Sequence, residues 1–372
     1  MSSERIERAR GLLAERNLDA LVVSNPYSRR YLTLHTGEDH GPDETGGIAI
    51  ISRDSAKLIL STNNTGWAAS ESPDFEIIGW TLPWHNDVAE ALKAIGASRV
   101  GFEEEALSVG DYRKLQAETG DSVEWIALEG AVDNLRIIKD AAEIAAIAKA
   151  SAITDQALIS ALSRLEAGDS ELDLKRMLED AMRALGADGP GFGTIVASGP
   201  NAARPHHSSG NRPIQPGEPI IIDMGAEVDG YKADLTRTVC LGEPTPELAK
   251  VYTIVLDAHR AALASIRTGA TGKEVDDAAR NVISAAGYGD QFIHGLGHGV
   301  GLRIHEGPSA GQRSSHVLAA GMTLTVEPGI YIPGWGGVRI ENLVVVEDGG
   351  CRDLTSVPTR LAVNEMIAGV RE

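Results

Sequence analysis

The 372-residue sequence is poor in cysteine, in positive charge and in aromatic side chains, and each shortage narrows the class of protein. Two cysteines, Cys240 and Cys351, are too few for a disulfide framework, which predicts a cytoplasmic protein. Lysine and arginine number 34 against 53 aspartates and glutamates, a net charge of −19, so no nucleic-acid partner is expected. Aromatic residues make up only 4% of the chain, so we expect a core of alanine, leucine, isoleucine and valine.

Long apolar runs are also missing from the sequence. None is long enough to cross a membrane, and the first ten residues are charged where a signal peptide has an apolar segment. We therefore expect neither membrane association nor export. The length is typical of two domains, each large enough to bury a core without covalent cross-links.

The chain organisation indicates two domains of different class. Residues 1–134 alternate helix and strand signals, which predicts an α/β domain. Residues 135–372 contain two helical patterns followed by strands, and the same order recurs from residue 247 onward. We expect an α+β domain built from two similar, pseudo-symmetric helix-helix-strand halves. Seven of the ten histidines lie between His206 and His316, which places the expected chemistry in this second domain.

A predicted hairpin in the second domain carries two aspartates. Asp223 lies in an apolar strand pattern, and Asp234 follows the turn sequence of residues 227–230. If residues 228 and 229 form the turn, Asp223 faces Asp234. If residues 229 and 230 form it, Asp223 faces Thr236, and Asp234 is the diagonal neighbour. Both registers put the carboxylates on one face, and because like charges repel, we expect a bound cation there.

A second predicted hairpin repeats this arrangement with Glu327 and Glu341. Proline and glycine between the two acids favour a tight connection, and a loop of residues 333–335 sets Glu327 opposite Glu341. A single acid in a strand is more often a salt-bridged surface residue. Four acids in two apolar hairpins instead favour a binding site.

A glycine-rich stretch, residues 292–306, supplies a fifth candidate group. It contains His294, His298 and His305, and glycine at every second position from 295 to 301 disfavours a helix. Such glycines let the backbone approach a site closely. One histidine alone is more often a structural residue, but three in this stretch indicate a functional site.

Two aspartates, two glutamates and a histidine form a hard, oxygen-dominated ligand set without the thiolates of a structural zinc site. Such a set suits two divalent ions that share bridging carboxylates. Two ions about 3.5–4 Å apart can hold a bridging hydroxide as the nucleophile and polarise a carbonyl group. The residues therefore predict metal-dependent hydrolysis of an amide.

In their order and flanking residues, these segments resemble the pita-bread metallopeptidase family, which includes aminopeptidase P, prolidase, methionine aminopeptidase and the metal-free creatinase. The resemblance covers most of residues 135–372, and residues 1–134 look like the family's creatinase-type N-terminal domain. It implies an α/β N-terminal domain followed by an α+β pita-bread catalytic domain. The metal ligands that it implies are Asp223, Asp234, His298, Glu327 and Glu341.

The resemblance also implies roles for further residues. His206 resembles a histidine that contacts substrate, and His207 is the competing choice. His305 resembles a histidine that stabilises the tetrahedral intermediate. Glu327 is the expected group for moving protons between water and the leaving amine.

Four other positions bear on the surroundings of the ligands. His294 resembles a residue that does not bind the metal itself but supports the residues that do. Arg339 resembles an arginine beside the last ligand. Asn342 departs from the family pattern, since many relatives have a second acid there, and it is not expected to be a ligand. Arg204 lies at a position where we expect an apolar residue in many relatives, and this difference could alter substrate entry.

Retention of all five ligands argues against creatinase, and the extra N-terminal domain argues against methionine aminopeptidase. We therefore expect hydrolysis of the Xaa-Pro bond at a peptide N-terminus, as in aminopeptidase P, by a metal-bridging hydroxide. One alternative is a prolidase that cleaves Xaa-Pro dipeptides only. Others are a hydrolase or lyase of a small metabolite, as in ectoine hydrolase, and a non-catalytic peptide-binding pseudoenzyme.

The resemblance implies two divalent metal ions per chain, with Mn²⁺ as the first expectation and Co²⁺, Zn²⁺ or Fe²⁺ as alternatives. The expected partners are a peptide with proline at position two and a second copy of the chain in a homodimer. No nucleic acid and no membrane are expected as partners.

Overall fold

The structure is a computed structural model that describes residues 2–39, 41, 44–81 and 83–369. The chain divides into two compact units, Met1–Arg136 and Ile137–Glu372. The outer ends of the two predicted domains, residues 1 and 372, lie outside the described residues. Within the described part, no helix combines the length and the apolar character needed to cross a membrane.

The first unit alternates helices and strands, as its pattern predicts. Its helices are α1 (Ser2–Arg16), α2 (Pro26–Thr33), α3 (Thr65–Glu71), α4 (His85–Ala94), α5 (Val109–Thr119) and α6 (Ala131–Arg136). Its strands are β1 (Ala20–Val23), β2 (Ile48–Ser52), β3 (Ala56–Ser61), β4 (Glu76–Trp80), β5 (Arg99–Glu103) and β6 (Glu124–Leu128).

These six strands form one mixed sheet in the order β4-β3-β2-β1-β5-β6. The central strand β1 pairs antiparallel with β2 and parallel with β5. All residues of β1 and β2 are buried, which explains their continuous apolar sequences. The first unit is therefore an α/β domain with its core on the central strands.

The second unit contains five further helices and thirteen strands among its described residues. The helices are α7 (Ala141–Leu162), α8 (Glu171–Ala184), α9 (Pro246–Ser265), α10 (Gly272–Ala285) and α11 (Val363–Ala368). The first six strands are β7 (Gly189–Pro190), β8 (Ile195–Ser198), β9 (Ile220–Met224), β10 (Ala226–Val228), β11 (Tyr231–Lys232) and β12 (Leu235–Val239). The remaining strands are β13 (Gly297–Gly299), β14 (Glu306–Ala310), β15 (Thr323–Val326), β16 (Gly329–Ile332), β17 (Gly336–Arg339), β18 (Asn342–Glu347) and β19 (Gly350–Asp353).

The second unit repeats the order of two helices followed by strands, which confirms the predicted two-part α+β architecture. Helices α7 and α8 pack with β8, β9 and β12 in one apolar cluster, and α9 and α10 pack with β15 to β18 in another. Helix α7 begins at a capping box of Asp140 and Glu143, and α10 begins at one of Thr271 and Glu274. These pairs satisfy backbone N–H groups at the helix start.

The first acid-bearing hairpin adopts the second of the two predicted registers. Val228 pairs with Tyr231, so Asp229 and Gly230 form the turn, with φ values of 53° and 80°. Two successive positive φ values are the mark of a type I′ turn, which suits the twist of a hairpin. Further along the same register Asp223 pairs with Thr236, so Asp234 is the diagonal neighbour of Asp223.

The second acid-bearing hairpin has the predicted connection. Ile332 pairs with Gly336, which leaves residues 333–335 as the loop. Strands β15 and β18 continue the same register, because Val326 pairs with Asn342. Glu327 and Glu341 therefore lie opposite each other, at the junction between the two paired segments.

Candidate metal centre

Three carboxylates from the two hairpins converge on one point. Asp223, Asp234 and Glu341 each offer a ligand atom, and these atoms all lie within 4.8 Å of one another. Asp234 and Glu341 are only 6% and 2% exposed. Thr236 Oγ1 donates to Glu341 Oε2 at 2.6 Å. Glu341 Oε1 is buried and accepts no hydrogen bond from any described residue, so it is free to bind a cation.

His298 and Glu327 adjoin these three carboxylates. His298 Nε2 lies 3.3 Å from Glu327 Oε1 and 3.7 Å from Asp234 Oδ2. Thr325 holds both neighbours, because its hydroxyl donates to Glu327 Oε1 at 3.1 Å and accepts from the backbone N–H of His298 at 3.0 Å. The structure thus brings together all five residues that the sequence analysis names as ligands.

The electrostatics of this cluster indicate uncompensated negative charge. Burial, followed by the charges of Glu327 and Asp223, raises the pKa of Glu341 to about 8. Burial and the neighbouring carboxylates likewise raise the pKa of Asp234 well above its ordinary value. Burial acts in the same direction on Glu327, but the hydrogen bond and charge of His298 outweigh it and lower the pKa of Glu327 to about 2.

A divalent cation fits this arrangement. Four carboxylates and one imidazole supply hard oxygen donors with a nitrogen donor, and the orphaned Glu341 oxygen lies among them. A cation would replace the mutual repulsion of the carboxylates by attraction and would reverse the direction of the pKa shift at Glu341.

A chain of hydrogen bonds supports Asp223 from one side. Arg339 Nη2 donates to Asp223 Oδ2 at 2.5 Å, and its Nε donates to Thr236 Oγ1 at 2.9 Å. Arg339 Nη1 also donates to the Tyr331 hydroxyl at 2.9 Å, and that hydroxyl lies 2.9 Å from His294 Nε2. Sequence reasoning named His294 and Arg339 but missed Tyr331, which joins them.

His206 and His207 have different surroundings although they are adjacent in sequence. His206 lines the cavity that contains the carboxylates. His207 Nε2 instead donates to Glu171 Oε2 at 2.8 Å. The sequence analysis missed Glu171, which is fully buried at the start of α8 and accepts further hydrogen bonds from the same loop, at Ser198 N and Oγ, Asn201 Nδ2 and Gly210 N.

Asn342 is one of the two departures from the family pattern, and its amide nitrogen is engaged away from the carboxylate cluster. Its Nδ2 donates to Asp353 Oδ2, on the neighbouring strand β19.

The acidic cluster opens into a cavity of about 630 Å³, a size typical of small-ligand sites. Four histidines line it, and the His298 and His305 rings meet edge to face with centroids 4.4 Å apart. Arg204, the other departure from the family pattern, also lines this cavity. The apolar part of the wall consists of Phe192, Ile195, Pro205, Ile293 and Ile304. A ligand in this cavity would contact both carboxylates and apolar side chains.

Comparison with protein families agrees with this geometry. The model of metallopeptidase family M24 matches residues 145–348, and that of the creatinase/prolidase N-terminal domain matches residues 5–138. Because the first match covers more than half of the chain, the protein belongs to metallopeptidase family M24. The pita-bread assignment and the creatinase-type N-terminal domain are thereby confirmed, and the chain is a metallopeptidase.

Individual relatives match along nearly the whole chain. The Xaa-Pro dipeptidase of Pyrococcus furiosus is 35% identical over 96% of this chain and 99% of its own length. The structure of a Xaa-Pro dipeptidase from Bacillus anthracis superposes with a TM-score of 0.92 at 37% identity, covering 97% of this chain and 99% of its own. That of an X-Pro aminopeptidase from Thermotoga maritima gives 0.87 at 35% identity, covering 96% and 99%.

Proposed function

We propose that the protein hydrolyses the Xaa-Pro bond at the N-terminus of a peptide and uses two divalent metal ions to do so. The observation that carries this proposal is the buried carboxylate cluster with an adjacent imidazole, open to a cavity of peptide-like size. The relatives support the choice of substrate, since Xaa-Pro dipeptidases and an X-Pro aminopeptidase are among them.

The metal ions would be held by the five predicted ligands, Asp223, Asp234, His298, Glu327 and Glu341. When bound, they would polarise the scissile carbonyl and activate water for attack on it. A proline amide has no N–H, and polarisation from the carbonyl side does not need one. Of the metals that suit these ligands, Mn²⁺ is our first choice, with Co²⁺, Zn²⁺ and Fe²⁺ as alternatives.

Three side chains of the cavity are assigned to the reaction itself. Glu327 carries protons from water to the proline nitrogen, a role that suits a carboxylate held between His298 and Thr325. His305 stabilises the negative charge that develops on the carbonyl oxygen. His206 contacts the substrate, whereas His207 is engaged with Glu171 and positions the loop.

The remaining residues orient the ligands. Arg339 fixes Asp223 through a charge-assisted hydrogen bond, and Tyr331 and His294 hold the arginine from its other side. We also propose that residues 1–134 and 135–372 are the two domains, and that the protein acts as a cytoplasmic homodimer.

A substrate panel tests the proposal. The protein reconstituted with Mn²⁺, Co²⁺ or Zn²⁺ is incubated with Xaa-Pro dipeptides, Xaa-Pro-Yaa tripeptides, creatine and ectoine derivatives. We expect release of the N-terminal residue from the proline peptides. Cleavage of dipeptides alone would favour the prolidase alternative, which the dipeptidase relatives support. Failure to cleave any Xaa-Pro peptide with any metal would contradict the proposal.

A further inference from the structure

A second cavity adjoins the one that contains the carboxylates. It has a volume of about 500 Å³ and shares four wall residues with the first cavity: Ile293, His294, Gly295 and Gly297. The shared wall is rigid, because Arg280 donates to the backbone carbonyls of Phe292 and His294 at 2.9 and 2.8 Å. The two cavities therefore border each other along this segment, which Arg280 holds in place.

The two cavities differ in charge. Four carboxylates line the first, whereas none of the described residues that line the second is acidic. The second has two arginines in its wall. Arg280 is occupied by the buried carboxylate of Asp276, with contacts of 2.7 and 2.8 Å. Arg313 is exposed, and no described carboxylate lies within ion-pair distance of it.

We propose that the second cavity is a subsite for the C-terminal side of the substrate, with Arg313 binding the terminal carboxylate of a short peptide. This inference rests on the proposed Xaa-Pro hydrolysis. Only one substrate residue lies on the N-terminal side of the scissile bond, so a longer chain must leave the first cavity on the side of proline. An unpaired arginine is the group best suited to a carboxylate at the end of that chain.

The reach of the subsite matches peptides longer than a dipeptide. Ser309 pairs with His298 and Ala310 with Gly297 across the β13–β14 hairpin, so the loop that follows starts beside the carboxylate cluster. Arg313 lies three residues beyond Ala310, at most about 10 Å along the chain. The carboxylate of a dipeptide stays one residue from the scissile bond, whereas that of a tripeptide or tetrapeptide extends about 3.5 Å further per residue.

The neighbouring polar groups suit a peptide end as well. Gln312 is exposed beside Arg313, and its amide can bind a peptide group. Ser309 and Ser314 are already engaged, since the Ser314 hydroxyl donates to the Ser309 carbonyl at 2.6 Å. Arg313 is therefore the specificity-determining residue of this subsite, and the serines shape its wall.

The test compares Ala-Pro-Ala with its C-terminal amide, using metal-reconstituted protein. Wild type is expected to have a kcat/KM about tenfold higher for the free acid, the effect of one solvent-accessible charged hydrogen bond. Arg313→Gln should abolish this preference, and Arg313→Glu should invert it. Arg183→Gln removes an exposed arginine of α8 that lines neither cavity, and should keep the wild-type preference.

The outcomes separate the subsite from the function on which it rests. An acid-to-amide ratio that is the same in Arg313→Gln and Arg183→Gln would overturn the subsite. Cleavage of Ala-Pro without cleavage of Ala-Pro-Ala would also overturn it, while Xaa-Pro hydrolysis would stand. If wild type cleaves neither peptide, the proposed function fails and the subsite fails with it.

Discussion

At the scale of single residues, Glu341 is the most informative side chain. It is buried, and one of its oxygens lies within 4.8 Å of carboxylate oxygens of Asp223 and Asp234. Its Oε1 has no hydrogen-bond partner among the described residues. Burying such a group costs free energy unless a cation compensates it. The residue is therefore expected to stabilise the metal-loaded protein and to destabilise the metal-free one.

Replacing Glu341 by glutamine tests this opposition. We expect the metal-free variant to have a Tm equal to or above that of metal-free wild type, because glutamine replaces a buried acid whose ionisation is opposed by burial and by the neighbouring carboxylates. At a hundredfold excess over Kd, a ligand stabilises the folded protein by about 2.7 kcal/mol per site, so Mn²⁺ should raise the Tm of wild type. In the variant, this rise in Tm should be lost together with activity. Differential scanning fluorimetry with and without metal measures both. His305→Ala is the control, and should keep the metal-induced rise while turnover falls.

A second substitution at this scale is Tyr331→Phe. It removes only the hydroxyl that links Arg339 to His294, and the ring stays in its place. We expect two Mn²⁺ per chain to remain bound while kcat for Ala-Pro-Ala falls about tenfold, because the two buried hydrogen bonds of this hydroxyl, one of them to the Arg339 guanidinium, are lost. Unchanged kcat would show that Arg339 holds Asp223 without this support.

At the scale of elements, the start of α8 controls the loop that carries His206. Glu171 accepts hydrogen bonds from residues at both ends of the segment 198–210. These bonds lower the pKa of Glu171, although burial acts in the opposite direction, so the carboxylate is ionised at neutral pH. These hydrogen bonds attach the loop to the start of α8 and restrict its conformation.

Glu171→Gln should therefore impair the reaction more than the fold. An amide can accept at only one atom, so part of the loop loses its anchor and His206 loses its defined position. We expect a drop in kcat/KM of about tenfold or more with unchanged metal content. Asp180→Asn, an exposed acid on the same helix, is the matched control and should leave kcat/KM at the wild-type value. Equal effects of the two variants would contradict this role.

Element-scale reasoning also explains which features could be predicted. Hairpin register follows from turn length and side-chain alternation, so the convergence of Glu327 and Glu341 could be read from local sequence. The first hairpin allowed two turns, and only the structure shows that Asp229 and Gly230 form it. The contacts of Glu171 with His207 and of Arg339 with Asp223 join residues 36 and 116 positions apart. No local pattern predicts such pairs, because they depend on how distant elements pack.

At the scale of the whole molecule, the net charge of −19 is a property of the surface rather than of the site. Only four of the 53 acids belong to the proposed metal centre, so the excess mainly favours solubility. A buried titrating residue is expected to change the free energy of unfolding with pH more than any one of these surface acids does.

His259 on α9 is such a residue, at 2% exposure. Burial, together with the charges of Arg237 and Arg260, lowers its pKa from 6.5 to about 3. Between these two pKa values, His259 is protonated in the unfolded chain and neutral in the folded chain. The folded state is therefore not penalised by His259 above pH 6.5, and it loses stability as the pH falls below that value. The loss at pH 5 is about 2 kcal/mol.

Urea unfolding in a chelator at pH 5 and pH 7.5 measures this loss. In His259→Leu, the difference in free energy of unfolding between the two pH values should be about 2 kcal/mol smaller than in wild type. All other titrating groups are shared and cancel. The same pH dependence in both proteins would show that His259 does not contribute to acid sensitivity.

The most direct measurement of the central claim is a metal titration followed by Xaa-Pro hydrolysis. Metal-free protein receives increasing equivalents of Mn²⁺, and the rate of proline-peptide cleavage and the bound metal are measured at each step, in wild type and in Glu341→Gln. We predict a rate that reaches its maximum at two bound ions per chain and stays at background in the variant. Cleavage of Xaa-Pro peptides at full rate in a chelator, or no cleavage by the metal-loaded wild type, would contradict the assignment.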